Sequence, residues 1–65
     1  MDTYKETTAI VIPALDPDQR MVDLVRELRE HGFANIILTD DGSKIENRRF
    51  FRECKERYGC KIIRH

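Results

Sequence analysis

The sequence predicts an α/β fold in which three short parallel strands alternate with two helices. Three apolar runs rich in Ile and Val are typical of strands in a buried parallel sheet. Two longer segments lie between them, carry apolar residues at helical spacing and end at a glycine. This β-α-β-α-β order with short connections favours parallel pairing of the strands and right-handed crossovers.

The three predicted strands cover residues 8–13, 35–39 and 60–64. Each is an apolar run bounded by turn-forming or polar residues. Residues 1–7 are interpreted as a polar lead-in to the first strand. Because no internal repeat or low-complexity linker interrupts the pattern, we expect one continuous unit.

The first helix is predicted to begin at a capping box. Asp16 is the N-cap residue in this prediction, Pro17 occupies the first helical position, and Gln19 follows three residues after the cap. Gly32 ends the helix. The face that packs against the sheet is predicted to carry four apolar side chains, namely Met21, Leu24, Val25 and Leu28.

The second helix is also predicted to begin at a capping box, in which Ser43 caps the helix and Glu46 reaches back to the cap. Gly59 ends this helix. Its buried stripe is predicted to comprise Phe50, Phe51, Cys54 and Tyr58. Basic and acidic residues are interspersed along the segment, which is typical of a solvated helix face: Arg48, Arg49 and Arg52 lie among Glu46, Glu53 and Glu56.

Size and charge restrict the class of protein. The chain of 65 residues, 40% hydrophobic and 37% charged, suffices for one small domain at most. Domains of this size bury only about 60% of their unfolded surface and are marginally stable. We therefore expect residues 1–65 to form a single partial domain of a larger protein. Twelve basic residues balance twelve acidic ones without a large basic cluster, which argues against nucleic acid as a partner.

Cysteine usage and hydropathy give further expectations. Cys54 and Cys60 are expected to be reduced thiols of a cytoplasmic protein rather than a disulfide. No apolar run is long enough to cross a membrane, and no signal peptide is recognisable. Neither His31 nor His65 stands at a zinc-like spacing from the cysteines, and the acids at 16 and 18 are interpreted as helix-capping groups. No metal site is predicted in this chain.

The ends of the first two strands are predicted to form a ligand-binding cleft. In a parallel sheet wound in this way the two strands are neighbours, so the loops after them meet at one edge. Helix N-termini at this edge favour a phosphate group, and a carboxylate there accepts hydrogen bonds from a base or from ribose hydroxyls. Because Asp40 and Asp41 are adjacent, only one of them need face the cleft. The predicted nucleotide-binding residues are Pro13, Ala14, Leu15, Asp40, Asp41, Gly42 and Ser43.

The same segments resemble a known enzyme family. VIPAL at residues 11–15 and ILTDDGS at residues 37–43 are similar to the opening of inverting family 2 glycosyltransferases, which have the GT-A fold. PALDP at residues 13–17, with Gly32 and Phe33 before the second strand, looks most like members that pass sugars to polyprenyl phosphates, similar to dolichyl-phosphate mannose synthases. KIIRH at residues 61–65 resembles the third strand of the family, so the resemblance covers nearly the whole chain.

The resemblance implies the Rossmann-like, amino-terminal part of a GT-A domain, with a nucleoside diphosphate sugar as its partner. Pro13 and Leu15 match positions that border the nucleotide base, and Asp41 matches an acid that commonly contacts it, with Asp40 beside it. Many members have an aromatic residue where Leu15 stands and Asn-Glu at the positions of residues 16 and 17. The resemblance also implies a cytoplasmic location, with the parent enzyme at the cytoplasmic face of a membrane.

The catalytic part of the family pattern has no counterpart in this sequence. The metal-binding Asp-x-Asp and the catalytic base of the family both follow its third strand, so no catalytic residue is assigned here. We expect the 65-residue chain alone to be inactive. For the complete enzyme the resemblance implies Mg²⁺ or Mn²⁺ as the cofactor.

Two other functions stay open. A dinucleotide-binding Rossmann-type module would use an acid after the second strand for ribose hydroxyls, although residues 13–17 lack the glycines of the G-x-G-x-x-G pattern. A small non-enzymatic α/β interaction module would need neither loop for a ligand. The interaction module is favoured if the 65-residue chain is folded, monomeric and without a cleft in isolation.

Overall fold

The computed structural model describes residues 4–64 and shows an α/β fold with one open, parallel, three-stranded sheet. A 3₁₀ turn at Ile45–Asn47 precedes the last helix. The strands are β1 (Ala9–Ala14), β2 (Asn35–Asp40) and β3 (Lys61–Arg64), and the helices are α1 (Tyr4–Thr7), α2 (Gln19–Glu30) and α3 (Arg48–Tyr58). The fold class predicted from the sequence, a small Rossmann-like half, is confirmed.

The sheet has the order β1-β2-β3, so β2 is central and both neighbours are edge strands. Ile12 pairs with Leu38, which pairs with Ile62, and all three side chains contribute to the core. Val11 and Ile63 alternate with these residues and are 58% and 39% exposed. Because α2 and α3 pack against each other and over the same core, one face of the sheet is covered and the other is open.

The core lies between the covered sheet face and the two long helices. Its buried members are Met21, Val22, Val25, Ile36, Leu38, Phe51, Cys54 and Cys60. Both cysteines are free thiols, as predicted. Burial raises the pKa of the Cys54 thiol to about 12, since a thiolate would lose its hydration there.

Helix α2 begins later than predicted. Asp18, not Asp16, is the N-cap residue, and its carboxylate accepts a hydrogen bond from the Arg20 amide at 2.9 Å. Asp16 has a φ of 48°, which places it in the left-handed region rather than in the extended conformation typical of an N-cap. The predicted capping box with Gln19 is therefore wrong.

The buried stripe of α2 is also rotated from the prediction. Met21 and Val25 are buried, but Leu24 is 43% exposed and Val22 is 2% exposed. Leu28 is partly buried against the core. The difference arises because α2 packs against α3 as well as against the sheet, so the face it buries includes Val22.

The start of α3 likewise differs from the predicted capping box. The helix begins at Arg48 after the 3₁₀ turn, and neither segment has a side-chain cap hydrogen bond. Ser43 is buried and serves the neighbouring loop instead. The predicted helix end is confirmed, because Gly59 is the C-cap residue with a φ of 69°. Phe51 and Cys54 are buried, and Phe50 and Tyr58 pack against the core.

Within the segment interpreted as a polar lead-in, residues 4–7 form the short helix α1. Two of its carbonyl groups accept hydrogen bonds from residues at the entry to β2. The Lys5 carbonyl accepts from the Ala34 amide at 3.3 Å, just before the strand, and the Glu6 carbonyl accepts from Asn35 Nδ2 at 2.6 Å. These long-range bonds hold the segment in place. Residues 1–3 and His65 lie outside the described residues. Among the helices of residues 4–64, none combines the length and the apolarity needed to cross a membrane.

Candidate functional site

The loops that follow β1 and β2 meet at the carboxyl edge of the sheet. Ala14 pairs with Asp40 at the last register position, and the Asp41 amide donates a hydrogen bond to the Ala14 carbonyl at 3.2 Å. One step further along each loop, the Asp16 amide donates to Ser43 Oγ at 2.8 Å. The predicted juxtaposition of the two strand ends is therefore present, and hydrogen bonds join the loops directly.

Asp16 is a residue that bridges the two loops, not the helix cap that was predicted. Its Oδ1 accepts hydrogen bonds from the Lys44 amide at 2.7 Å and from Asn47 Nδ2 at 3.2 Å. These bonds lower the pKa of the Asp16 carboxyl, the bond from the Lys44 amide being the larger cause. Aspartate tolerates the left-handed backbone better than most residues, which suits it to this sharp turn.

Asp40 is the buried acid of the pair, with a fully buried side chain. Its Oδ1 accepts hydrogen bonds from the Ser43 amide at 2.8 Å and the Gly42 amide at 3.1 Å, while its Oδ2 lies 3.3 Å from Arg64 Nε. The hydrogen bond from the Ser43 amide is the main cause that lowers the pKa of the Asp40 carboxyl, against the effect of burial. Asp40 thus shapes the turn, in which Gly42 has a φ of 102°.

Asp41 and Leu15 are among the residues of this edge that a ligand can reach. Asp41 is exposed, and within residues 4–64 its carboxylate has no hydrogen-bond or ion-pair partner. Leu15 is 62% exposed, although a side chain of this type is usually buried. The structure therefore divides the two adjacent acids between tasks, because one is occupied inside the turn and the other is open to solvent.

An open groove of about 510 Å³ runs along the β1 side of this edge. Three of the predicted nucleotide-binding residues line it, Pro13, Ala14 and Leu15. The predicted residues at the end of β2 and in the turn after it do not line this groove. Asp41 and Gly42 are exposed, whereas Asp40 and Ser43 are buried. Leu24, an exposed apolar residue of α2, also lines the groove and was not among the predicted site residues.

The carboxylates of Asp16 and Asp18 are bonded to other groups of the protein. Asp18 forms an ion pair with Arg20 at 2.9 Å in addition to capping α2, and Asp16 bridges the loops. Across residues 4–64, no group of three or more His, Cys, Asp or Glu side chains is placed to hold a metal ion. We therefore assign no divalent cation to the described residues.

Comparison with family models, with curated proteins and with solved structures found no match. The function is accordingly inferred from the residues of the cleft and from their geometry.

Proposed function

We propose that this chain supplies the nucleotide-sugar-binding part of an inverting glycosyltransferase, which transfers a sugar from a nucleoside diphosphate sugar to an acceptor such as a polyprenyl phosphate. The observation that carries the proposal is the direct joining of the two loops that carry the family-like motifs. The amide of Asp16 in one loop donates to Ser43 in the other, and the amide of Asp41 donates to Ala14.

In this proposal the base of the nucleotide lies beside Leu15 and makes its polar contact with Asp41. Leu15 offers an exposed apolar surface on which a base packs, and Pro13 borders the same groove. Asp41 offers a carboxylate without a partner among the described residues, so a base N–H or ribose hydroxyl can donate to it. Asp40 and Ser43 are positioning residues, because they fix the turn from below.

The sugar-transfer step itself is assigned to residues outside this chain. Within residues 4–64 the exposed acids at 16 and 18 are already bonded to Lys44, Asn47 and Arg20. Asp18 also occupies the N-terminus of α2 that was predicted to favour a phosphate. The chain by itself is accordingly proposed to bind the nucleotide without catalysing transfer.

Titration of the 65-residue chain with UDP, GDP and NADH, followed by ¹H–¹⁵N NMR, tests the proposal. We expect a nucleoside diphosphate to shift the amide resonances of residues 13–15 and 41–43. The variant D41A should weaken that binding by about 1–3 kcal/mol, since the partner group of the ligand is left unpaired. Glu27 is exposed on α2, so E27A is the matched control and should leave the affinity unchanged.

Three results of this titration would contradict the proposal. Equal affinities of the wild type and D41A would remove Asp41 from the site. Preference for NADH would favour a dinucleotide-binding module, which uses a related crevice. Absence of binding by all three nucleotides would favour an interaction module without a small-molecule ligand.

A further inference from the structure

A second groove, of about 360 Å³, lies between α3 and the edge strand β3. Four of its lining residues are basic: Arg48, Arg52, Lys55 and Arg64. Its apolar lining comes from Ile45, Phe51 and Ile62. No residue is shared with the groove at the β1 edge, so the second groove is a separate surface of the molecule.

The concentration of positive charge in this groove is unexpected for a chain whose net charge is zero. Helical spacing produces it, because residues 48, 52 and 55 follow one another at intervals that place them on one side of α3. The remaining basic residues of the helix are engaged elsewhere: Arg49 lies 4.7 Å from the Phe50 ring, and Arg57 pairs with Glu53 at 3.1 Å. The fold therefore brings some of the basic residues that are interspersed with acids in the sequence together in one groove.

Two of the four basic groups in the groove have no acidic partner among the described residues, and the other two share one acid. Within residues 4–64 neither Arg52 nor Lys55 has an ion-pair partner. Arg48 Nε is buried without a hydrogen-bond partner and lies 4.0 Å from Asp40 Oδ2. The same carboxylate oxygen lies 3.3 Å from Arg64 Nε, so one acid faces two of the four cations.

We propose that this groove binds a phosphate monoester group. Phosphate carries close to two negative charges near neutral pH and presents several acceptor oxygens, which guanidinium groups engage in paired hydrogen bonds. The Arg48 side chain is 35% exposed where it lines the groove, so an anion bound there can interact with the accessible part of its guanidinium group. Ile45 and Ile62 border the basic groups and provide a surface for the organic part of the ester.

NMR detection of the arginine Nε groups in the 65-residue chain tests this proposal with two probes. The first is inorganic phosphate in solution, and the second is vesicles of phosphatidylcholine with and without phosphatidic acid. We expect saturable shifts of the Arg48, Arg52 and Arg64 Nε resonances. Saturation by dissolved phosphate identifies a soluble ester as the source of the group, whereas a response to phosphatidic acid vesicles alone identifies a lipid headgroup.

Matched double variants distinguish binding at a specific site from nonspecific electrostatic attraction of anions. R52Q/K55Q removes two charges from the groove, and R49Q/R57Q removes two charges from the same helix outside it. We expect binding to weaken about tenfold or more in the first variant and to stay within about twofold in the second. Backbone amide spectra report whether each variant is folded, and R52K/K55R, which keeps both charges, should retain binding. Equal losses in the two double variants, or no saturation with either probe, would overturn the proposal.

Discussion

At the scale of single residues, Asp40 has several structural tasks. One carboxylate oxygen holds the turn amides of Gly42 and Ser43, and the other faces Arg64 and Arg48. A fully buried carboxylate of this kind is stable only because donors and cations surround its oxygens. The same residue therefore connects the turn after β2 on one side with the basic groove on the other.

The pH dependence of stability should report this role of Asp40. Its folded-state pKa is lowered from 3.8, so the ionised form contributes stability above the unfolded-state pKa. This contribution is lost as the pH falls below 3.8 through the lowered folded-state value. Urea unfolding from pH 7 to pH 2 should show a constant difference between the wild type and D40N near neutral pH and a shrinking difference in acid. A difference independent of pH would contradict the ionic role.

Ser43 provides a second test at this scale, because its observed role and the predicted capping role have different consequences. The Ser43 hydroxyl accepts a hydrogen bond from the Asp16 amide, and S43A removes that acceptor. The variant should therefore destabilise the fold by about 1–2 kcal/mol and accelerate hydrogen exchange of the Asp16 amide. If Ser43 served as a helix cap, its loss would instead accelerate exchange in the first turn of α3. Amide exchange measured residue by residue decides between them, with K44A as a control that leaves the hydroxyl in place.

At the scale of elements, helix ends were easier to predict than helix beginnings. Gly32 and Gly59 were placed correctly because a left-handed backbone position selects glycine locally. The capping boxes at 16 and 43 failed because both side chains form bonds to the other loop, 27 residues or more away. Contacts of that kind depend on how the strands are arranged, which a local spacing does not encode.

The end of α3 gives a quantitative prediction for an element. Gly59 has a φ of 69°, and a Cβ atom added there would meet no heavy atom within 4 Å. The variant G59A should therefore lose about 1 kcal/mol of unfolding free energy from backbone strain alone. G59N should lose less, since asparagine tolerates this region. Chemical denaturation of both variants measures the difference, and equal losses would point to a side-chain clash instead.

At the scale of the whole molecule, the core is small and its two thiols report on its integrity. Cys54 and Cys60 are both buried, and the pKa of Cys54 is raised to about 12, so reaction requires opening of the fold. We expect a disulfide reagent such as DTNB to modify the native chain at pH 8 about a hundredfold more slowly than the urea-unfolded chain. Similar rates in both states would mean that the core is not closed.

Much of this molecule is determined by the order of its apolar runs. The strands, both long helices and the meeting of two loops at one sheet edge were all predicted, since each depends on periodicity or on the winding of parallel strands. The sequence did not predict that Asp40 would be buried and Asp41 exposed, because adjacent acids differ only in the direction of their side chains. The basic groove was also missed, although the spacing of 48, 52 and 55 was a usable signal.

The hydrogen bonds between Asp16 and the loop after β2 have a consequence for the kinetics of ligand binding. Two loops tied by the Asp16 amide and by its carboxylate have little freedom to move apart. The loops lose their conformational entropy when the chain folds and not when a ligand binds. Ligand association should therefore proceed without a slow rearrangement of the loops. A binding surface that is organised in advance therefore favours rapid association.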